Sequence, residues 1–102
     1  MIFKVEPAAR LELEEAAQWY EASRPGLAAE FLDEFDRGVQ MILDAPNAWH
    51  PLEGGIRRYR LDRFPYGIIY KMRDDEILII AVAHLHRHPG YWRTRLEPRG
   101  PT

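Results

Sequence analysis

Glu76-Ile77-Leu78-Ile79-Ile80-Ala81-Val82-Ala83-His84 is the stretch on which the fold turns. Its apolar core, Ile77 to Ala83, is unbroken. A strand that shows one face to water alternates apolar with polar, whereas one buried on both faces reads as a continuous apolar run. The stretch is therefore expected to be a strand at the centre of a sheet. It is far shorter than the roughly 18 apolar residues that a membrane helix needs. Directly after it come Leu85-His86-Arg87-His88-Pro89-Gly90-Tyr91-Trp92. A buried strand that ends in side chains able to hydrogen-bond, stack and carry charge can present a site on a rigid scaffold. It can equally end by closing the edge of a small core.

Upstream, Asp74-Asp75 reads as a tight turn and Gly67 to Met72 as a second strand. Phe64-Pro65-Tyr66 turns the chain again, and Arg57 to Leu61 alternates charge with bulk as a third strand. Asn47 to Gly55, punctuated by Pro51, Gly54 and Gly55, reads as a loop. Before it lie two helices. Ala28, Phe31, Leu32, Phe35, Val39 and Ile42 recur on one stripe of a helix that stops near Ala45, ahead of Pro46. Ala9, Leu13, Ala16, Ala17 and Tyr20 do so on the other, with Glu12, Glu14, Glu15, Gln18 and Glu21 expected to face away. Ser23-Arg24-Pro25-Gly26 separates them, with Ser23 or Arg24 expected near the cap and Pro25 in the first turn of the second helix. So short a break allows only an antiparallel pair. Ile2 to Val5 is a short strand that ends before Pro7. The order β-α-α-β-β-β predicts an α+β fold, a helical hairpin packed on one face of a mainly antiparallel four-stranded sheet. One domain over residues 1–96 is expected, with residues 97–102 as a flexible tail.

A chain of 102 residues, 46% hydrophobic and 29% charged, has the makings of a globular core rather than of a disordered segment. It has no cysteine, which excludes disulfides, thiolate metal sites and a cysteine nucleophile. That absence fits the cytoplasm, and Met1 to Pro7 contains no signal-peptide pattern. The net charge of −2 hides an asymmetry. Residues 1–56 hold four Lys/Arg against 11 Asp/Glu, a balance of −7, and residues 57–95 hold nine against four, a balance of +5. The acidic half is accounted for by solvated helix faces. The basic half suggests a polar partner.

Three sets of residues could carry chemistry. Arg58 and Arg60 share one face of their strand, with Arg57 and Tyr59 on the other. Two adjacent guanidiniums repel unless an anion bridges them, which suits phosphate or carboxylate, or unless helix carboxylates pair with them. His84 and His86 share a face if their strand runs on, and could move protons or ligate a metal. No cysteine and no carboxylate close in sequence completes a metal site, so neither metal nor cofactor is expected. Arg87, Tyr91 and Trp92 can hold phosphate and stack on bases, or cap the core. There is no phosphate-binding glycine loop, no Ser-His-Asp order and no zinc-finger spacing.

Three phrases resemble a known family. They are Glu15-Ala16-Ala17-Gln18-Trp19-Tyr20-Glu21, Arg60-Leu61-Asp62-Arg63-Phe64-Pro65-Tyr66-Gly67-Ile68-Ile69-Tyr70 and Ala83-His84-Leu85-His86-Arg87-His88-Pro89-Gly90-Tyr91-Trp92. Together with the layout they look like the RelE/ParE toxin superfamily, especially its plasmid stabilisation members, over Phe3 to Arg95. The resemblance implies a bacterial toxin of a type II toxin–antitoxin system, neutralised by an antitoxin encoded beside it. RelE-type members cut mRNA on the ribosome without a metal, and ParE-type members inhibit DNA gyrase. Of the RelE-type nuclease pattern, Arg58 and Arg60 match the basic residues on the first hairpin strand, and Tyr91 matches a C-terminal tyrosine. The arginine expected after Tyr66 is Gly67, and the one expected after the central strand is Leu85, with Arg87 two residues on. His84 and His86 could substitute as proton carriers.

The resulting expectation is a growth-blocking toxin that acts on gyrase or on translation. A metal-free endoribonuclease and a non-toxic interaction module are the alternatives. The expected site is one basic surface of Arg58, Arg60 and Arg87 with His84, His86 and Tyr91 beside it. Trp19, Tyr20 and Phe35 are expected to hold the antitoxin, and no membrane is involved.

Overall fold

The computed structural model describes residues 1–96. The expected tail, residues 97–102, lies outside the described residues. Strand β1 (Ile2–Val5) leads into helices α1 (Pro7–Ser23) and α2 (Leu27–Asp44). Strands β2 (His50–Pro51), β3 (Ile56–Arg60), β4 (Tyr66–Arg73) and β5 (Glu76–His84) follow, then a 3-10 turn at Arg93–Leu96. The sheet runs β1-β5-β4-β3-β2. β1 lies parallel to β5, and the other pairs are antiparallel. β4 is the middle strand, while β5, between β1 and β4, is buried on both faces as the apolar run from Ile77 to Ala83 predicts.

The sheet has five strands rather than four. The addition is β2, in the stretch that reads as a loop. It pairs His50 with Arg58 and Pro51 with Arg57. Two residues are too few to show a period of two, and proline is tolerated at a sheet edge. A second difference concerns the start of α2. Pro25 lies outside the helix, and Gly26 stands at the cap with φ +90°. Glu21 supplies the cap from the preceding helix, its carboxylate accepting from the N–H groups of Gly26 and Ala28, both at 3.1 Å.

Each face of the sheet has its own core. On the helix side, Ile68, Tyr70, Ile77, Ile79 and Val82 meet Ala9, Ala16, Phe31, Phe35 and Ile42. The buried alanines of α1 let that helix approach closely. Tyr70 is 1% exposed, and its hydroxyl is satisfied by donating to the Pro46 carbonyl at 2.7 Å. On the outer face, Ile56, Ile69, Ile80, Ala81 and Ala83 are covered by Trp92. A bulge makes this double-sided burial possible. Ile69 pairs with Ala81 but Tyr70 with Ile79, so Ile80 is an extra residue. Ile80 and Ala81 consequently join the outer cluster together, while Ile79 and Val82 join the inner one.

Candidate functional site

The chemistry-bearing residues gather at the end of the sheet where β5 emerges, on both of its faces, and the two sides meet where the His84 and His86 rings lie 5.1 Å apart. Strand register divides them. Arg60 pairs with Gly67 and Gly67 with Ala83, which puts Arg58 and Arg60 on the outer face. Arg57 and Tyr59 point to the helix side, where Tyr59 packs against the inner core and Arg57 donates to the Trp49 carbonyl at 2.9 Å. Tyr66 pairs with His84, which puts His84 on the helix side too. The His84 ring lies 5.1 Å from that of Tyr66 and shares a groove with Trp19, Glu15 and Arg87. The expectation that His84 shares the face of Arg58 and Arg60 is therefore corrected, because cross-strand partners must share a face.

His86 follows the end of β5 and swings back. It lines a shallow outer basin with Arg58, Arg60, Arg63, Phe64 and Pro65. Its backbone N–H donates to Nδ1 of His84 at 3.1 Å, so neutral His84 carries its hydrogen on Nε2. Arg63 is drawn toward α2, its guanidinium donating to Glu30 at 2.7 Å and its N–H to Glu34 at 2.8 Å.

Arg58 is shaped by Gly67. A Cβ at Gly67 would lie 3.0 Å from both Cγ and Cδ of Arg58. The arginine stem thus lies flat across the sheet where any side chain would displace it. The missing arginine after Tyr66 and the placement of Arg58 are one fact. The Arg58 Nε is buried, with no hydrogen-bond partner among the described residues.

Tyr91, Arg87 and Arg95 meet at Glu12. The Tyr91 hydroxyl donates to Glu12 Oε2 at 2.5 Å, and Arg95 donates to both carboxylate oxygens, at 2.8 and 3.1 Å. The Val82 N–H donates to Glu12 Oε1 at 3.0 Å. Beyond the last residue of β1, this side of β5 has no strand partner. Glu12 takes its Val82 donor, and Arg95 takes its Ile80 carbonyl at 3.0 Å. Arg87 stacks 4.0 Å from the Tyr91 ring centroid, with Nη1 3.9 Å from Glu12. Burial pushes the Glu12 carboxyl up, but the hydrogen bonds from Arg95, Tyr91 and Val82 outweigh it, and the net shift is down from 4.5. Burial, then the bond to Glu12, push the Tyr91 phenol well above its ordinary 10. Tyr91 is thus committed to an internal hub, Arg87 covers its ring while staying half-exposed, and Trp92, 5% exposed, belongs to the core.

Glu12 was expected to face away, and it is the residue that the sequence reading missed. The signal was present, since Glu12 lies three residues after Ala9 and four before Ala16, within the buried stripe. Of the three residues expected to hold a partner, Trp19 is 69% exposed. Tyr20 is half-buried, with its ring 4.8 Å from Phe64 and 5.2 Å from Phe31. Phe35, 4% exposed, lies in the core. Among the described residues no three His, Asp or Glu side chains cluster as metal ligands, and no helix is long and apolar enough to cross a membrane.

Comparison with known proteins agrees with this architecture. The family described as "ParE toxin of type II toxin-antitoxin system, parDE" matches residues 3–89. No curated protein sequence matches the chain. A solved structure described as the chromosomal ParDE TA system from P. aeruginosa contains a chain of similar fold. It has 23% sequence identity and a TM-score of 0.74, with 82% of this chain and 95% of that one covered. That likeness speaks for the fold, and the family match covers most of the sequence. The chain belongs to the ParE toxin family of type II toxin–antitoxin systems.

Proposed function

We propose that this toxin arrests growth by binding a protein target, with DNA gyrase the first to test, rather than by cutting RNA. The observation that carries this reading is that Gly67 and Leu85 occupy two positions where the RelE-type pattern has arginine. Arg58, Arg60 and His86 lie at the outer basin. His84 lies on the helix side with its ring 5.1 Å from that of His86, Tyr91 is engaged at Glu12, and Arg87 stacks on Tyr91 with its side chain half-exposed. Metal-free cleavage of a phosphodiester needs positioned charge at the phosphate and a proton carrier within hydrogen-bond reach of the same atoms. Gly67 and Leu85 stand where two of those charges would come from.

The test uses purified toxin in separate gyrase supercoiling and translation reactions, each with and without antitoxin. Supercoiling should be blocked and restored by antitoxin, with mRNA intact. The His84→Ala, His86→Ala double variant should arrest growth as the natural sequence does. The basin of Arg58, Arg60 and His86 keeps the endoribonuclease as a second reading. In that case the double variant should lose about 10²–10⁴-fold of its cleavage rate, and this outcome would overturn the gyrase reading.

A type II system supplies an antitoxin partner. We assign Trp19 as one of its anchors, because a large exposed indole beside a groove is the kind of residue that dominates interfaces. Trp19→Ala should weaken antitoxin binding at least about tenfold. It should leave folding stability within about 0.5 kcal/mol, since the side chain supports little of the core. Titration calorimetry and a thermal melt on the same sample separate the two, and unchanged affinity would remove Trp19 from the interface.

A further inference from the structure

Beneath the segment from Arg87 to Arg93, on the outer face of the sheet, lies a cavity of about 150 Å³. Ile69, Ala83, Leu85 and Trp92 give it an apolar part, and polar or charged side chains, among them Arg58, Glu53, His84 and Arg87, line the rest. A void of roughly this size accepts a group as large as a branched aliphatic side chain. Gly67 and Ala83, neighbours across β4 and β5, leave the depression, and the Arg58 stem crosses it. The Nε of that arginine is buried and has no hydrogen-bond partner among the described residues. A buried donor on a charged group is costly to leave unmade, so its lack of an acceptor is a mark of something yet to bind. Nearby carboxylates do not serve. Glu53 at the rim is taken by Arg93, whose Nε donates to it at 2.8 Å, and Glu12 is taken by Arg95 and Tyr91.

We propose that this cavity receives one short apolar side chain of the antitoxin and that Arg58 binds an Asp or Glu carboxylate beside it. The occupant is a short acidic segment that carries a branched or small aliphatic residue. Charge favours it, because residues 57–95 carry a balance of +5. The inference rests on the antitoxin partnership of the family, but not on whether the toxin acts on gyrase.

The test measures binding of the full-length protein from the neighbouring antitoxin gene to the full-length toxin. Four toxins are compared, the natural sequence, Arg58→Gln, Ala83→Leu and Arg73→Gln. Arg73 is an exposed residue at the far end of β4, so its substitution removes the same charge away from the cavity. Arg58→Gln should weaken binding about ten- to a hundredfold, the range of a hydrogen bond to a charged group. Ala83→Leu, which fills the void, should do likewise, and Arg73→Gln should change affinity less than about threefold. A melt of each free toxin identifies a variant that fails to fold, and Arg58→Gln decides alone if Ala83→Leu does so. Equal losses in Arg58→Gln and Arg73→Gln would mean diffuse electrostatics and overturn the proposal. Unchanged affinity in Arg58→Gln would overturn it too, while leaving the antitoxin partnership intact. Failure of the natural toxin to bind would instead remove the partnership beneath it.

Discussion

Phe31→Ala is expected to destabilise the protein by about 3–5 kcal/mol, the usual cost of removing a buried phenyl ring and leaving its cavity. Phe31 is fully buried and stands at the centre of an aromatic cluster. Its ring centroid lies 5.2 Å from Tyr20, 5.1 Å from Phe64 and 5.4 Å from Tyr66. The last two contacts are edge-on, the arrangement in which aromatic quadrupoles attract. These four residues tie α1, α2 and the turn between β3 and β4 together. That turn holds Arg63 and the rim of the outer basin, so the loss is also expected to loosen the basin. A domain of this size has about 5–15 kcal/mol of stability in all. Urea unfolding checks the magnitude, and a cost below about 1 kcal/mol would show that the cluster relaxes to fill the gap.

Glu12→Ala should cost about 2–3 kcal/mol, because it strips acceptors from Arg95, the Tyr91 hydroxyl and the Val82 N–H together. For a domain of this size that corresponds to a melting temperature lower by roughly 10–20 °C. The effect should be pH-dependent, with a definite sign. The folded-state pKa of Glu12 lies below its ordinary 4.5, so its contribution is complete above that value. It is lost as pH falls through the lowered folded pKa. Glu30 and Glu53 are lowered in the same direction by Arg63 and Arg93, so acid weakens several pairs at once. The Glu12→Gln variant isolates the hub. The stability difference between it and the natural sequence should be greatest near neutrality and shrink as the solution is acidified below about pH 4.5. A difference that grows in acid would contradict the assignment. Proteolysis should find the chain after β5 first in either variant, because Glu12 fastens Tyr91 and Arg95 to α1.

The sheet-end residues show how far a linear pattern reaches. Arg58 and Arg60 were legible as partners on one face, with Arg57 and Tyr59 opposite, because alternation is local to a strand. Whether His84 joins them depends on how β4 lies against β5, and a one-residue slip in that register would reverse the answer. Trp19, Tyr20 and Phe35 could all be read as apolar residues of a helical hairpin. Which of them is exposed depends on what packs against α1 and α2, so Trp19 reaches solvent while Phe35 is buried.

The sequence by itself determined the α+β class, the helical hairpin, the burial of β5 on both faces and the family. These rest on local periodicity, on turn chemistry at Asp74-Asp75 and Phe64-Pro65, and on phrases that persist in the linear chain. Only the tertiary structure decided the short strand β2, the bulge at Ile80, the Glu12 hub and which face of the sheet His84 takes. Each of these depends on contacts between residues far apart in sequence, such as Glu12 with Arg95 or Gly67 with Ala83. No pattern along the chain records such distances, because they are fixed only when whole elements dock and their registers lock.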